Sequence, residues 1–236
     1  MRINKYIAST GLCSRRKAEE YINEQRVTIN DEIAFLHSTV DETKDVVKLD
    51  GKIIKLNENK VYILFNKPIG IITTTERHIK NNIIDYINYP ERIFPIGRLD
   101  QDSHGLIVLT NDGDIVNKAL RSDNNHSKEY IVKVNKDIDD NFLENMRNGV
   151  MIYNPVHDNM VKTKKCVVDK INRRKFKIIL TQGYNRQIRR MCKALGYEVI
   201  DLERIRFMNL KDKDLLPGKW RELKKEEKVQ FLSNLN

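Results

Sequence analysis

Four strand-like runs, separated by helices without a regular strand–helix–strand rhythm, limit what this chain can fold into. They are VYILFNKP (61–68), GLIVLT (105–110), KEYIVKV (128–134) and KFKIILTQG (175–183). KEYIVKV alternates polar and apolar residues, the period of a half-buried strand. Helical stretches such as DIVNKAL (114–120) and DDNFLENMRNG (139–149) lie between the runs. A parallel sheet needs a helical crossover after nearly every strand. The order seen here predicts an α+β fold, a mostly antiparallel mixed sheet with flanking helices.

The first 58 residues read as a separate, small α/β module. INKYIAST and SRRKAEEYINEQ form two short helices, the second opened by Ser14, a good N-cap residue. RVTIN and DVVKLDGKII read as strands, the latter folded at an Asp50-Gly51 turn. KLNENK (55–60) is polar and non-periodic, which suits a linker. The expected organisation is therefore one module over 1–58 and a larger domain over 59–236. No apolar run approaches the roughly 18 residues that cross a bilayer. MRINKYIAST is too polar for a signal peptide, so the expected compartment is the cytoplasm. Cys13, Cys166 and Cys192 lie far apart, form no CxxC and read as inert thiols.

The formal charge of +10 is local in origin. Residues 1–58 hold ten Lys/Arg and ten Asp/Glu, whereas 162–193 hold twelve Lys/Arg against Asp169 alone. Such density favours a polyphosphate partner. Arg15, Arg16 and Lys17 crowd the first turn of the second helix, where the macrodipole disfavours cations unless an anion sits there. They are candidate phosphate contacts.

FPIGRLDQDSHGLIVLTNDGD (94–114) contains four aspartates. Asp100, Asp102 and Gly105 take the first, third and sixth positions of a calcium-binding EF-hand loop. The pattern fails at His104, its fifth position, and at Asn111, where a bidentate Glu is required. A hairpin suits the stretch better, with FPIG and GLIVLT as strands. Arg98 and Asp100 then share one face of an extended chain, with Leu99 on the other. A charged pair at a strand end, next to a loop, can line a cleft.

LTQGYNRQIRRMCKALGYEV supplies a basic complement. A helix is predicted to begin after Gly183 and end near Gly196. Ile188, Met191, Cys192 and Leu195 form its buried stripe, and Arg186, Arg190 and Lys193 point away from it. Arg189 falls at the edge of the stripe, where it can pair with a carboxylate. Tyr130, on its alternating strand, is either a core residue or a stacking platform for a base.

GRLDQDSHGL, KEY and GYNRQIRRM, in that order, resemble the signature motifs of the RsuA/RluB/RluE/RluF family of ribosomal RNA pseudouridine synthases. LFNKPIG is similar to a preceding motif of that family, and the N-terminal module resembles its S4 RNA-binding domain. NDGDIVNKALRSDNNHSKEY looks most like the RluF subgroup of large-subunit enzymes, a group that can also act on transfer RNA. The resemblance implies an RNA uridine isomerase acting on 23S ribosomal RNA, with no metal and no cofactor. It implies Asp100 as the catalytic aspartate, Tyr130 as the aromatic packed on the target base, and Arg189 as the ion-pair partner of Asp100. Asp102 and Asp112 acquire no role beyond turn formation. The expected RNA contacts are Arg15, Arg16, Lys17, Arg98, Lys128, Arg186, Arg190 and Lys193, on a monomer. Two other readings compete with this one. A non-catalytic RNA-binding or ribosome-assembly protein would suit the basic tract but gives no reason for GRLD. An RNA hydrolase using Asp100 lacks a metal cluster or a His-paired nucleophile.

Overall fold

The structure is a computed structural model, described here over residues 1–120 and 126–235. Part of the subgroup motif, 121–125, lies outside the described residues. The chain forms two compact units. The first comprises Met1–Val61, Tyr89–Phe94 and Thr110–Gly113; the second comprises Tyr62–Asn88, Pro95–Leu109 and Asp114–Asn236.

In the first unit, α1 (Ile3–Ser9) and α2 (Arg15–Asn23) precede a four-stranded sheet of order β2-β1-β3-β4. The strands are β1 (Val27–Ile29), β2 (Glu32–Ile33), β3 (Val47–Leu49) and β4 (Lys52–Ile53). Ser14 caps α2 by accepting a hydrogen bond from the Lys17 amide at 3.1 Å. Asp50 and Gly51 both adopt positive φ, 50° and 75°, as the two central residues of a tight hairpin turn require. Ile3, Ile7, Ala18, Ile22, Val27 and Val47 are buried together as its core. The KLNENK segment has no regular structure but is not loose. Asn57 donates to Glu91 at 2.9 Å, and Asn111 donates to the Asn59 carbonyl at 2.7 Å.

The second unit is built on an eight-stranded sheet of order β11-β12-β8-β13-β7-β5-β14, with β6 also paired to β7. Its strands are β5 (Tyr62–Lys67), β6 (Phe94–Ile96), β7 (His104–Thr110), β8 (Lys128–Val134), β11 (Val167–Asn172), β12 (Lys175–Leu180), β13 (Val199–Phe207) and β14 (Trp220–Glu222). A separate hairpin joins β9 (Met151–Asn154) to β10 (Asn159–Lys162). The helices are α3 (Ile83–Ile87), α4 (Gly113–Leu120), α5 (Asp140–Asn148), α6 (Gln187–Ala194) and α7 (Lys225–Ser233). The sheet is mixed, as expected. The β11–β12, β12–β8, β8–β13 and β14–β5 pairs are antiparallel, and β13–β7 is parallel. Two hydrophobic cores flank it. One packs Phe142, Met146, Phe176, Ile188 and Met191 together; the other gathers Leu64, Val108, Phe207 and Phe231.

The parallel β13–β7 junction depends on Gly105, which lies opposite Arg204. Its φ is +106°, and a Cβ there would stand 2.3 Å from the Arg204 carbonyl oxygen. Only glycine allows that approach.

Candidate active site

Asp100 follows β6 on a turn fixed from both sides. The Thr73 hydroxyl donates to the Leu99 carbonyl at 2.7 Å, and the Gly70 amide donates to the Gln101 carbonyl at 2.8 Å. The Ser103 amide closes the turn on the Asp100 carbonyl at 3.1 Å. Gly70 and Thr73 follow Lys67, so the NKPIG segment serves as the bracket for the aspartate loop. Leu99 is buried beneath, which turns the Asp100 side chain outward.

The two carboxylates of this turn are used differently. Asp102 accepts two hydrogen bonds from Arg186, at 2.9 and 2.7 Å, a bidentate pair. These bonds, aided by Arg189, hold its carboxyl below the usual range despite partial burial. Asp100 has Arg186 Nη1 at 3.6 Å, and among the described residues its carboxylate accepts no hydrogen bond. Its side chain is 31% exposed.

The expected Arg189–Asp100 pair is not what the structure forms. Arg189 donates to the Asp102 carbonyl at 2.7 Å, to Ser103 Oγ at 3.2 Å and to the Val199 carbonyl at 3.1 Å. It ties the turn to the start of β13, and its Nε lies 3.4 Å from the Asp102 carboxylate. The guanidinium facing Asp100 belongs to Arg186. That residue is not on the outer face of α6, because the helix starts one residue later. Arg186 takes a left-handed conformation, φ 51° and ψ 35°, which swings its side chain to the aspartate turn. Asp102, expected only to form a turn, is the anchor of Arg186. The same bidentate bond answers the calcium reading, since both oxygens already face a cation.

Lys67 lies in the field of both aspartates, and Arg204 in that of Lys67 and Lys128. Lys67 is fully buried and donates to the Pro68 and Ile71 carbonyls at 3.0 and 2.9 Å. Burial pushes its ammonium down to about 8, with Asp100 and Asp102 pulling the other way. Burial, aided by Arg204, takes Lys128 down to about 8 as well. Arg204 is 2% exposed; it donates to the Leu106 carbonyl at 2.6 Å and lies over the Phe207 ring. Among the described residues its Nη2 is buried without a hydrogen-bond partner. A buried lysine in LFNKPIG and a buried arginine in ERIRF carry no sequence signal that separates them from surface cations.

Residues 61–194 match the model of the RNA pseudouridylate synthase family, and residues 1–47 match the S4 domain. The dual-specificity RNA pseudouridine synthase RluF of Escherichia coli K12 is 48% identical over 98% of this chain and 78% of its own length. The Salmonella typhi RluF is 49% identical with the same coverage. The chain belongs to the RsuA/RluB/RluE/RluF family of RNA pseudouridine synthases. Ribosomal large subunit pseudouridine synthase B of Bacillus subtilis is 34% identical over 96% of this chain and 94% of its own. A crystal structure of a pseudouridylate synthase shares the fold, with a TM-score of 0.70, 23% identity and full coverage of both chains.

As a pseudouridine synthase, the protein is an isomerase. Its other expected site residues are spread over several elements. Tyr130 sits on β8 opposite Arg204 of β13 and Ile178 of β12. Its side chain packs against the core while staying half-buried. Arg98 is exposed beside the turn. Arg190 is tied to Asn185, through its carbonyl at 3.0 Å and its side-chain oxygen at 3.2 Å, and Lys193 is exposed. Arg15 and Arg16 are exposed at the start of α2, while Lys17 pairs with Glu20 at 2.6 Å and lies over Tyr21. Burial raises the Cys166 thiol to about 11 and that of Cys192 to about 12, which keeps both inert at neutral pH.

Proposed function

We propose that Asp100 carries out the isomerisation of a uridine in large-subunit (23S) ribosomal RNA, with Arg186 as its charge partner and Tyr130 against the extruded base. The observation that carries this reading is the division of labour between the two aspartates. Asp102 is committed to Arg186 and Arg189, whereas Asp100 keeps free oxygens on a rigid, half-open turn. Isomerisation breaks the N1–C1′ bond, turns the uracil and joins C5 to C1′. N1 takes up a proton and C5 gives one up, so neither water nor a redox equivalent is consumed. An ionised carboxylate fits this chemistry as a nucleophile at C1′ or as the acceptor of a sugar proton. Either role needs an unencumbered oxygen, and Asp100 keeps its carboxylate free of hydrogen bonds among the described residues, with Arg186 at 3.6 Å.

The target nucleotide must leave its stack to reach such a turn, and an aromatic side chain can hold it there. We assign residues 1–58 to RNA binding and 59–236 to catalysis, in a monomer that works in the cytoplasm where ribosomal RNA is found. No described helix is long and apolar enough to cross a membrane. Transfer RNA is the second substrate class that the resemblance implies. The relative named ribosomal large subunit pseudouridine synthase B supports the ribosomal assignment through its name, and the dual specificity in the RluF name fits a second RNA class.

The test uses RNA tritiated at uracil C5, which loses its label on isomerisation. Asp100→Asn keeps the side-chain shape and removes the ionised oxygen, so label release should stop while RNA binding persists. Release at near the native rate would refute the assignment. Presenting 23S ribosomal and transfer RNA separately distinguishes the two substrate classes.

A further inference from the structure

The β9–β10 hairpin turns an apolar face outward. Its strands pair Met160 with Tyr153 and Lys162 with Met151, which places these four side chains on one face. Met151, Tyr153 and Met160 are 48%, 45% and 57% exposed. The opposite face holds Ile152 and Val161 against the core. The inward set already satisfies the fold, so stability gives no reason for an aromatic ring and two methionines on the outside.

The Tyr153 ring is held in place. Its hydroxyl donates to Asp158 at 2.5 Å across the hairpin end. The surroundings are cationic. Tyr153 lies in the field of Arg190, and Lys162, Lys164 and Lys165 are exposed without an ion-pair partner among the described residues. Between residues 151 and 165 the one acid is Asp158. The patch is also continuous with the catalytic turn. β9 packs against α6, Arg190 of α6 is bonded to Asn185, and the next residue is Arg186, which meets Asp102 and Asp100.

We propose that this face is a stacking platform for unpaired nucleotides flanking the target uridine, with Tyr153 under a base and Lys162, Lys164, Lys165 and Arg190 along the phosphates. The proposal rests on the reading of the substrate as RNA. Unpaired RNA fits the combination of a fixed ring, flexible thioethers and a cationic rim, since every base offers a π-face and every nucleotide a charge. A second protein surface fits less well. A stable protein interface takes about 20–30 residues a side, and this face presents three apolar side chains.

The test measures binding of fluorescein-labelled oligoadenylate to the full chain. That probe contains no uridine, so the outcome is independent of whether Asp100 is the catalytic group. A blunt RNA duplex of equal charge serves as control. Tyr153→Ala should weaken oligoadenylate binding by about 5- to 150-fold, the range of one lost base–aromatic stack, and leave the duplex unchanged. Tyr153→Phe should bind oligoadenylate nearly as well as the native protein. Tyr153 is exposed, and an unaltered melting temperature for Tyr153→Ala would exclude misfolding. Unchanged oligoadenylate binding, or equal losses on both RNAs, would overturn the proposal. So would a change confined to sedimentation behaviour, which would make the face a contact between copies of this chain.

Discussion

Arg186 grips both carboxylate oxygens of Asp102, at 2.9 and 2.7 Å, and by that grip is presented to Asp100 at 3.6 Å. One aspartate therefore positions the cation that serves the other. Asp102→Asn keeps one acceptor oxygen but loses the charge and the two-point fit, leaving Arg186 free to drift from Asp100.

Arg186→Ala should lower turnover by about 100-fold or more, the scale of a misplaced catalytic group. Arg186→Lys should not restore it. A single ammonium cannot bind Asp102 at two points and also face Asp100. Tritium release under single-turnover conditions measures this, and full rescue by lysine would remove geometry from the explanation.

Arg189→Ala should act on stability and turnover together, unlike Arg190→Ala. Arg189 donates to two carbonyls and a hydroxyl that link the aspartate turn to β13, and its side chain is 13% exposed. Losing charged hydrogen bonds of this kind costs about 1.5–3 kcal/mol each at most, shared here among partners that water can partly reach. Urea denaturation should therefore show a lower midpoint for Arg189→Ala. Arg190→Ala should keep the midpoint and weaken RNA binding.

The parts of the fold legible in the sequence were those whose burial follows a simple period. KEYIVKV coincides with β8, and Ile188, Met191 and Cys192 are buried on α6. Ser14, Asp50 and Gly51 marked a cap and a turn through local chemistry that needs no tertiary context. What escaped was set by long-range contacts. β13 was missed because VIDLERIRF buries an arginine, Arg204, between apolar neighbours. The β9–β10 hairpin was missed because both of its faces carry apolar residues, and Asn154 is buried. The site was legible as motifs, but not as contacts. Helical periodicity put Arg186 on the outside of α6, and one left-handed residue moved it to the aspartate turn.

Lys67 and Lys128 should titrate near pH 8. Both are pushed down to about 8 by burial, against an ordinary value of 10.5. Between about 8 and 10.5 the unfolded chain holds more protons than the folded one, so each lysine makes stability rise with pH across that window. Below about 8 both states are protonated and the burial penalty is felt in full. Lys67→Met should flatten part of that slope, while lowering stability overall by leaving the Pro68 and Ile71 carbonyls unpaired. Lysine-selective carbon NMR should show one low-pKa resonance lost in each of Lys67→Met and Lys128→Met.

Gly105→Ala should be among the most damaging single-methyl changes in the chain. The added carbon would meet the Arg204 carbonyl at 2.3 Å and occupy a φ of +106°. Backbone strain alone is worth about 1–3 kcal/mol, and separating β7 from β13 adds to it. Calorimetry should show a large fall in melting temperature, with turnover lost in step because Arg204 moves with the strand. A protein of native stability and native rate would show that β13 can shift without harm.

Arg15→Ala/Arg16→Ala should change the salt dependence of RNA binding and little else. A cut at residue 58 is the less informative experiment, because Asn57, Asn59, Glu91 and Asn111 are bonded together within one compact unit. Point substitutions at exposed residues leave that unit whole. Both guanidinium groups stand in the first turn of α2, where an unmatched cation opposes the helix dipole. Removing them should therefore hold or slightly raise thermal stability. If each contacts one phosphate, the slope of log K against log salt should become shallower by about 1 per residue. Lys17→Ala should change the slope less, since its ammonium is already paired with Glu20 at 2.6 Å. An unchanged slope in the double variant, measured by titration from 50 to 300 mM salt on the order of typical binding buffers, would show that the basic turn of α2 does not touch the RNA backbone.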